Sequence, residues 1–254
     1  MAKALEGIRV LDLTRMYGGP FCTMLLAELG AEVIKVEIPE AGDGVRNLAP
    51  QTEGQESYPF VILNRGKLGV TLNLNSEAGR NICKELVGKS DILIENFTPG
   101  VTEKLGLSYE QLNPLNPKLI YASISGFGQT GPSRTQVAFD TIIQAMGGLV
   151  SVNGQPDSPP TKVAPAIADF LGGTYAIIAI LAALQYRSVS GRGQRIDISM
   201  QDSVWAITAI QHLPVYLMTG QEPPRLGNRM IEVTPFNIYP AKDGYVVIAI
   251  VTVG

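Results

Sequence analysis

Short apolar segments alternate with helix-like segments through the first 200 residues of the chain. The apolar segments are rich in β-branched residues and poor in charge, as buried parallel strands are. The pattern predicts strands over residues 8–13, 33–36, 70–74, 91–95, 119–124 and 196–199. It predicts helices over residues 20–29, 76–88, 140–146, 166–187 and 201–218. This alternation favours an α/β fold, a Rossmann-like doubly wound parallel sheet with helices on both faces.

Local sequence signals mark several helix ends. Pro20 stands at the first position of the first helix and Gly30 follows its end, which is the usual placement of these two residue types. Ser76 precedes the second helix, and Ser108-x-x-Gln111 has the sequence of a capping box. These signals predict where the helices begin and end.

A second, smaller unit is expected after the parallel sheet. Residues 221–224 read Gln-Glu-Pro-Pro, which is typical of a linker, and residues 245–251 form an apolar strand-like run at the chain end. We therefore expect a Rossmann-like large domain over 1–200 and a helical linker over 201–225. Residues 226–254 are then the truncated beginning of a smaller α+β domain.

The charge balance and the composition exclude several classes of protein. Lys plus Arg number 20 and Asp plus Glu 23, so the chain has no basic excess with which to bind nucleic acid. Hydrophobic residues make up 45% of the chain, which excludes a disordered protein. The apolar helix over 166–187 contains Asp169 and two glycines, and no second span follows it. We interpret it as a buried core helix and expect no membrane partner.

Histidine and cysteine are too scarce for several kinds of chemistry. His212 is the only histidine of the sequence and lies in an apolar run, so a structural role is expected for it. Cys22 and Cys83 form no metal-binding or redox motif, so no metal site is predicted. Met1–Ala4 carry no signal peptide, and with two unpaired cysteines this indicates a cytoplasmic protein.

The turn after the first strand is unsuited to a dinucleotide. Residues 14–20 contain no G-x-G-x-x-G, and Pro20 removes an amide donor that a pyrophosphate requires. The chain has no G-x-x-x-x-G-K-[ST] sequence either. A βαβ unit that does not bind a nicotinamide cofactor is therefore predicted.

Asp169 is the strongest candidate for a catalytic group. It lies in the first turn of the apolar helix, where an acid that merely complements the helix dipole contributes about 0.5 kcal/mol. That role leaves Gly172 and Gly173 unexplained, although each costs about 1 kcal/mol relative to Ala inside a helix. Both glycines fall on the helix face of Asp169, so we predict that they leave room for a bulky group to reach an aspartyl nucleophile.

Five segments carry a resemblance to a known family. Residues 25–37, 42–46, 95–100, 123–132 and 191–197 are similar to those of class III coenzyme A-transferases, the formyl-CoA/carnitine/bile-acid (CaiB/BaiF) family. The similarity extends over essentially the whole chain. In this family the nucleophile is an aspartate in an A-D-[FY]-x-[GS]-G-like context, which falls on Asp169.

The resemblance implies a reaction and an assembly. The aspartate attacks an acyl-CoA thioester, an aspartyl anhydride and an aspartyl-CoA thioester follow, and coenzyme A passes to a small carboxylic acid. Acyl-CoA is then a substrate, and no tightly bound cofactor is expected. The full-length form is expected to be an interlocked homodimer.

The resemblance also implies a set of coenzyme A contacts. They fall on Met16, Tyr17, Leu72, Asn73, Leu74, Asn75, Asn96, Phe97, Thr98, Lys104, Val137, Ala138, Phe139 and Asp140. Arg46 and the stretch 64–67 are further candidates for binding phosphate. Ile38 and Val137 depart from the basic residues found in some members, so the contacts to the adenosine end are the least defined.

Two alternatives stay open. An α-methylacyl-CoA racemase shares this fold, but such racemases have a histidine where this chain has Phe139, and a phenyl ring transfers no proton. The chain can also be a truncated homologue that binds acyl-CoA without catalysis.

Overall fold

A six-stranded parallel sheet forms the centre of this computed structural model, which describes residues 3–230 and 233–250. Its strands are β1 (Arg9–Asp12), β2 (Glu32–Glu37), β3 (Leu68–Thr71), β4 (Ile92–Glu95), β5 (Ile120–Ser125) and β6 (Arg195–Ser199). They are ordered β3-β2-β1-β4-β5-β6, and each neighbouring pair is parallel. The strand order reverses between β1 and β4, so the predicted doubly wound α/β fold is confirmed.

Helices cover both faces of this sheet. They are α1 (Gly18–Glu28), α2 (Tyr58–Asn64), α3 (Glu77–Val87), α4 (Val101–Leu105), α5 (Tyr109–Leu112), α6 (Asp140–Met146), α7 (Leu149–Val152), α8 (Ile167–Ser190) and α9 (Met200–Thr219). A 3-10 turn spans Gly44–Asn47. The five predicted helices are present, each within two or three residues of its predicted ends.

Most of the predicted helix signals act as expected, but Pro20, predicted at the first position of α1, is its third residue, because the helix begins at Gly18. The Ser76 hydroxyl accepts a hydrogen bond from Gly79 N–H at 3.1 Å, and Ser108 and Gln111 form the capping box at the start of α5. Gly30 follows α1 in a left-handed conformation with φ of 108°, which a glycine adopts without strain.

The hydrophobic core lies in two layers, one on each face of the sheet. α1 and α8 pack side by side on one face, where Leu26 and Ile180 are buried against the sheet residue Ile94. On the other face, Cys83 and Val87 of α3 are buried in a cluster with residues of β1, β4 and β5. Each layer buries the strands that carry the loops described below.

Gly172 and Gly173 do not leave the room that the sequence predicts. A Cβ at Gly173 would lie 2.6 Å from the carbonyl oxygen of Gly18 in α1, and one at Gly172 would lie 3.0 Å from Cγ of Met200. The space beside these glycines is therefore filled by neighbouring helices. The prediction of an open face next to Asp169 was wrong, because the missing side chains serve close helix packing.

One predicted strand lies two to three residues earlier in the chain than expected, at Leu68–Thr71. The apolar alternation of residues 70–74 predicts a strand, but β3 ends at Thr71. The Asn73 side chain accepts a hydrogen bond from Asn75 N–H at 3.0 Å, and its carbonyl accepts one from Ser76 N–H. These local hydrogen bonds turn the chain away from the sheet. The turned segment lines a cavity.

A second sheet follows α9. It is an antiparallel hairpin of β7 (Phe236–Ala241) and β8 (Gly244–Ala249), of which only β8 was predicted. Val251, the predicted end of that strand, lies outside the described residues. The division into domains over 1–200, 201–225 and 226–254 stays a prediction.

Within the described ranges, α8 alone is long and apolar enough to cross a membrane. It contacts α1, α6, α9 and the strands β5 and β6. One side of α8 is buried in the core, but Ile178, Leu181 and Val189 are exposed, so the helix is less buried than the sequence predicts.

The close contact between α1 and α8 predicts that a side chain at Gly173 destabilises the fold. We expect Gly173→Ala to lower the free energy of unfolding by about 1–3 kcal/mol, because the new methyl group forces the two helices apart. Gly69→Ala is the matched control, since a Cβ at Gly69 meets no atom within 4 Å. Urea denaturation measures both, and equal stabilities would contradict this packing role.

Candidate active site

Asp169 lies where the first turns of two helices meet. It belongs to the first turn of α8, and Gly18, the first residue of α1, faces it. The first N–H groups of a helix have no partner within that helix and carry partial positive charge. The Asp169 carboxylate therefore meets the positive ends of two helices.

The pKa of Asp169 is nevertheless raised. Burial raises it, the negative charge of Asp140 raises it further, and the Gly18 N–H lowers it, with a result of about 7. The residue itself is only partly buried. A carboxylate that is poorly solvated yet reachable fits a nucleophile.

The glycine that matters for access to Asp169 is Gly18. A Cβ at this position would lie 3.2 Å from Oδ1 of Asp169 and 2.9 Å from its carbonyl oxygen. A side chain here would press on the carboxylate. This role cannot be predicted from the sequence of the Gly18-Gly19-Pro20 turn, because nothing local shows that the turn meets residue 169.

Asp140 supports the start of α8. Its Oδ1 accepts a hydrogen bond from Ala168 N–H at 2.8 Å, and its Oδ2 accepts one from Gln144 at 2.6 Å. Gln144 in turn accepts a hydrogen bond from Val163 N–H. Both Asp140 oxygens are thus engaged within the protein, and the side chain holds the start of the Asp169 helix. The predicted contact of this residue with coenzyme A stays a prediction.

A cavity of about 350 Å³ opens at the carboxyl ends of β1 to β4. Its lining residues are Leu13, Arg15, Val36, Glu37, Ile38, Leu72, Asn73, Leu74, Asn75, Phe97, Thr98, Val101 and Leu105. Ligands of doubly wound sheets bind at this edge, near the reversal of strand order. The structure brings six predicted residues together here: Leu72, Asn73, Leu74, Asn75, Phe97 and Thr98.

Arg15 is a cation that lines this cavity and was not among the predicted contacts. Its guanidinium lies 5.2 Å from the centre of the Phe97 ring and forms no ion pair or hydrogen bond with any described residue. The Glu95 carboxylate holds the backbone of Phe97 by accepting its N–H at 2.8 Å. An unpaired Arg in a half-apolar cavity is suited to an anionic ligand.

Asn96 holds the chain beside this cavity. Its amide oxygen accepts the N–H of Arg15 and its amide nitrogen donates to the Arg15 carbonyl, both at 2.8 Å. The next residue, Met16, has a left-handed φ of 66°. Two further residues along the chain, Gly18 faces Asp169, so a short segment joins the cavity to the carboxylate. Asp169 itself is not among the residues that line the cavity.

Several predicted phosphate contacts are engaged elsewhere. The Arg46 guanidinium pairs with Glu37 and Glu56 at 2.7 Å and lies over the Phe60 ring. Lys67 is buried against Asp12 at 3.1 Å. The prediction that these two cations bind phosphate is not supported, because their charges are neutralised inside the protein.

The remaining predicted contacts lie near the site without lining the cavity. Lys104 is exposed on α4, the helix that contributes Val101 and Leu105 to the lining. Val137 and Phe139 are exposed just before α6, with 70% and 65% of their surfaces accessible. Ala138 packs against Gly126, and Tyr17 caps the start of α1.

The scarce histidine and cysteines have structural positions. His212 Nε2 lies 3.0 Å from the Gly148 carbonyl, and its ring packs near Trp205. Cys22 and Cys83 are buried, and burial raises the pKa of the Cys83 thiol to about 12. Within the described residues no group of three metal-ligating side chains occurs.

Comparison with known proteins identifies the family. The model of CoA-transferase family III matches residues 5–253. The chain belongs to this family. The acetyl-CoA:oxalate CoA-transferase of Acetobacter aceti is 45% identical over 240 residues, which are 94% of this chain and 61% of that enzyme. The succinate–glutarate CoA-transferase of Agrobacterium fabrum is 41% identical over 252 residues, 97% of this chain and 63% of that enzyme.

Solved structures confirm the resemblance. A CaiB/BaiF family protein from Brucella suis superposes with a TM-score of 0.91 at 41% identity, covering 98% of this chain and 66% of that protein. Protein Rv3272 from Mycobacterium tuberculosis superposes with a TM-score of 0.85 at 32% identity, covering 98% of this chain and 65% of that one. The chain thus spans just under two thirds of the length of these relatives.

The charge of Asp140 is predicted to affect the pKa of Asp169. We expect Asp140→Asn to lower the pKa of Asp169 below 7, because the charged group that raises it, beside the effect of burial, is lost. Carbodiimide modifies the protonated acid, so the pH midpoint of Asp169 labelling, followed by peptide mass spectrometry, reports this pKa. Asp157→Asn, in an exposed loop, is the control. An unchanged or higher midpoint in Asp140→Asn would contradict the assignment.

Proposed function

We propose that this protein transfers coenzyme A from an acyl-CoA to a small carboxylic acid, with Asp169 as the nucleophile. The observation that carries the proposal is a reachable carboxylate with a raised pKa, placed between two helix N-termini. The family membership supports the reaction class.

The chemistry needs only one carboxylate. The ionised Asp169 attacks the thioester carbon of the donor, a C–O bond forms, the C–S bond breaks, and coenzyme A leaves as a thiolate. The thiolate attacks the aspartyl carbonyl of this anhydride and releases the donor acid. The acceptor carboxylate then attacks the aspartyl-CoA thioester, which breaks the C–S bond, releases the thiolate again and leaves an anhydride of Asp169 with the acceptor. The thiolate attacks the acceptor carbonyl of this anhydride, which forms the new acyl-CoA and frees the Asp169 carboxylate.

The start of α1 supplies stabilisation for these steps. Gly18 and Gly19 are its first two residues, so their N–H groups have no acceptor inside the helix. Each carbonyl attack creates an oxyanion beside Asp169, and preorganised N–H donors at this place lower its energy. No histidine base is required, which agrees with the structural position of His212.

The cavity fits coenzyme A in chemical character. Phosphate groups of the cofactor are anionic and Arg15 is an unpaired cation, while Phe97 and the leucines offer apolar surface for the remainder. The segment from Arg15 to Gly18 then leads from the cavity to the nucleophile. Acyl-CoA bound there directs its thioester toward Asp169.

The acceptor is proposed to be a small dicarboxylic acid. The names of the relatives include oxalate, glutarate and mesaconate as acids that those enzymes act on. Screening acetyl-, succinyl- and formyl-CoA against such acids identifies the pair used by this protein.

Trapping the covalent intermediate tests the proposal. With acyl-CoA and hydroxylamine, we expect a hydroxamate on Asp169 in the unaltered protein and none in Asp169→Asn, whose transfer rate falls by about 1000-fold or more. Asp157→Asn is the control and retains both. No adduct with any donor would overturn the transferase reaction, and exchange of deuterium at the acyl α-carbon without transfer would favour a racemase.

The position of Arg15 in the cavity predicts a role in binding the acyl-CoA donor. We expect Arg15→Gln to raise KM for the donor about tenfold, because one charge-assisted contact to an anionic group is lost. Arg192→Gln is the control, since Arg192 is exposed before β6, at the opposite end of the sheet. Steady-state kinetics measures both, and an unchanged KM in Arg15→Gln would place coenzyme A elsewhere.

A further inference from the structure

Lys35 and Asp43 form a buried ion pair that the proposed chemistry does not use. Lys35 Nζ lies 2.8 Å from Oδ2 of Asp43, and their side chains are 2% and 0% exposed. Burying two charges is costly and often contributes little to stability. The bonds that the pair makes to its surroundings are therefore of interest.

The pair binds the loop between β1 and α1 at two points. Lys35 Nζ donates to the Thr14 carbonyl at 2.9 Å, and Oδ1 of Asp43 accepts the Met16 N–H at 3.0 Å. Met16 has a φ of 66°, a conformation that residues with a Cβ rarely adopt. Such a conformation persists only where surrounding bonds hold it.

The conformation of Met16 determines where α1 begins. Tyr17 follows as the N-cap and Gly18 as the first helical residue. A Cβ on Gly18 would lie 3.2 Å from Oδ1 of Asp169, and the Gly18 N–H lowers the pKa of that carboxyl group. An extended conformation at Met16 would rotate the chain that follows and turn the Gly18 N–H away. The bond from Asp43 to Met16 thus lies two residues from the contact with Asp169.

We propose that Asp43, paired with Lys35, is a positioning residue for the Asp169 carboxylate: it holds Met16 in the left-handed conformation that directs the Gly18 N–H at the nucleophile. The inference rests on the proposed function, which gives Asp169 its role. Asp43 touches no substrate, because both of its oxygens are engaged and its side chain is buried.

The effect on Asp169 is indirect. The charged group that acts on it directly is Asp140 of α6, while α1 contributes the backbone N–H of Gly18. The contact from the Gly18 N–H lowers the pKa of Asp169. Loss of the Asp43 acceptor is expected to weaken this contact. That pKa should then rise.

Two paired variants separate the acceptor from the charge. Asp43→Asn with Lys35→Met removes both charges and keeps an oxygen for Met16 N–H, whereas Asp43→Ala with Lys35→Met removes the oxygen as well. We expect the pH midpoint of carbodiimide labelling at Asp169 to rise by about one unit in the alanine pair and to stay within a few tenths in the asparagine pair. Equal midpoints in the two pairs overturn the proposal.

A rescue variant tests the role of Met16. Glycine adopts a left-handed φ without strain, so adding Met16→Gly to the alanine pair should reduce the shift by half or more. A shift that persists in full contradicts the proposed route through Met16. In the unaltered protein, which needs no stable variant, hydrogen exchange of the Met16 amide should be strongly slowed, and rapid exchange overturns the proposal.

The labelling measurement also separates the two proposals, since it requires no turnover. A midpoint that moves as expected, in a protein that forms no aspartyl adduct with acyl-CoA, supports the positioning role and overturns the transferase. An adduct on Asp169 together with an unmoved midpoint in the alanine pair supports the transferase and overturns the positioning role of Asp43.

Discussion

The close contact between the first turns of α1 and α8 is the constraint on which the site depends. Gly18 of α1 lies against Asp169 of α8. The carbonyl oxygen of Gly18 in turn lies against Gly173 of α8, where a Cβ would be only 2.6 Å away. A Cβ on either glycine would separate the helices. The same contact that closes one layer of the core therefore brings a backbone N–H to the carboxylate.

The electrostatics of this contact are balanced between opposing effects. The helix N-termini favour the ionised carboxylate, while burial and the charge of Asp140 disfavour it, and the result is a pKa of about 7. A fully solvated aspartate would ionise readily but hold its water tightly. A deeply paired one would be inert. The observed arrangement keeps Asp169 reachable and poorly solvated, which suits attack on a thioester.

The sequence predicted regular elements better than the contacts between them. Helix α6 and the capping of α3 follow from local patterns, because the signals lie within a few residues of each other. The roles of Gly18 and Arg15 do not, since they depend on residues 169 and 97, which are distant in sequence. Gly172 and Gly173 illustrate the same limit. Two adjacent glycines in a helix indicate that some group packs closely against them, but only the tertiary structure shows that this group belongs to a neighbouring helix.

The raised pKa of Asp169 has a consequence for stability. Burial and the charge of Asp140 raise the pKa of this acid from its ordinary value of 3.8 to about 7 in the folded protein. Between these values the folded state retains the proton that the unfolded state has lost, so stability falls as the pH rises through this window. A neutral or smaller residue at position 169 would avoid this cost. Its placement here, together with the buried Lys35–Asp43 pair beneath the loop, is better explained by chemistry at the carboxylate than by the stability of the fold.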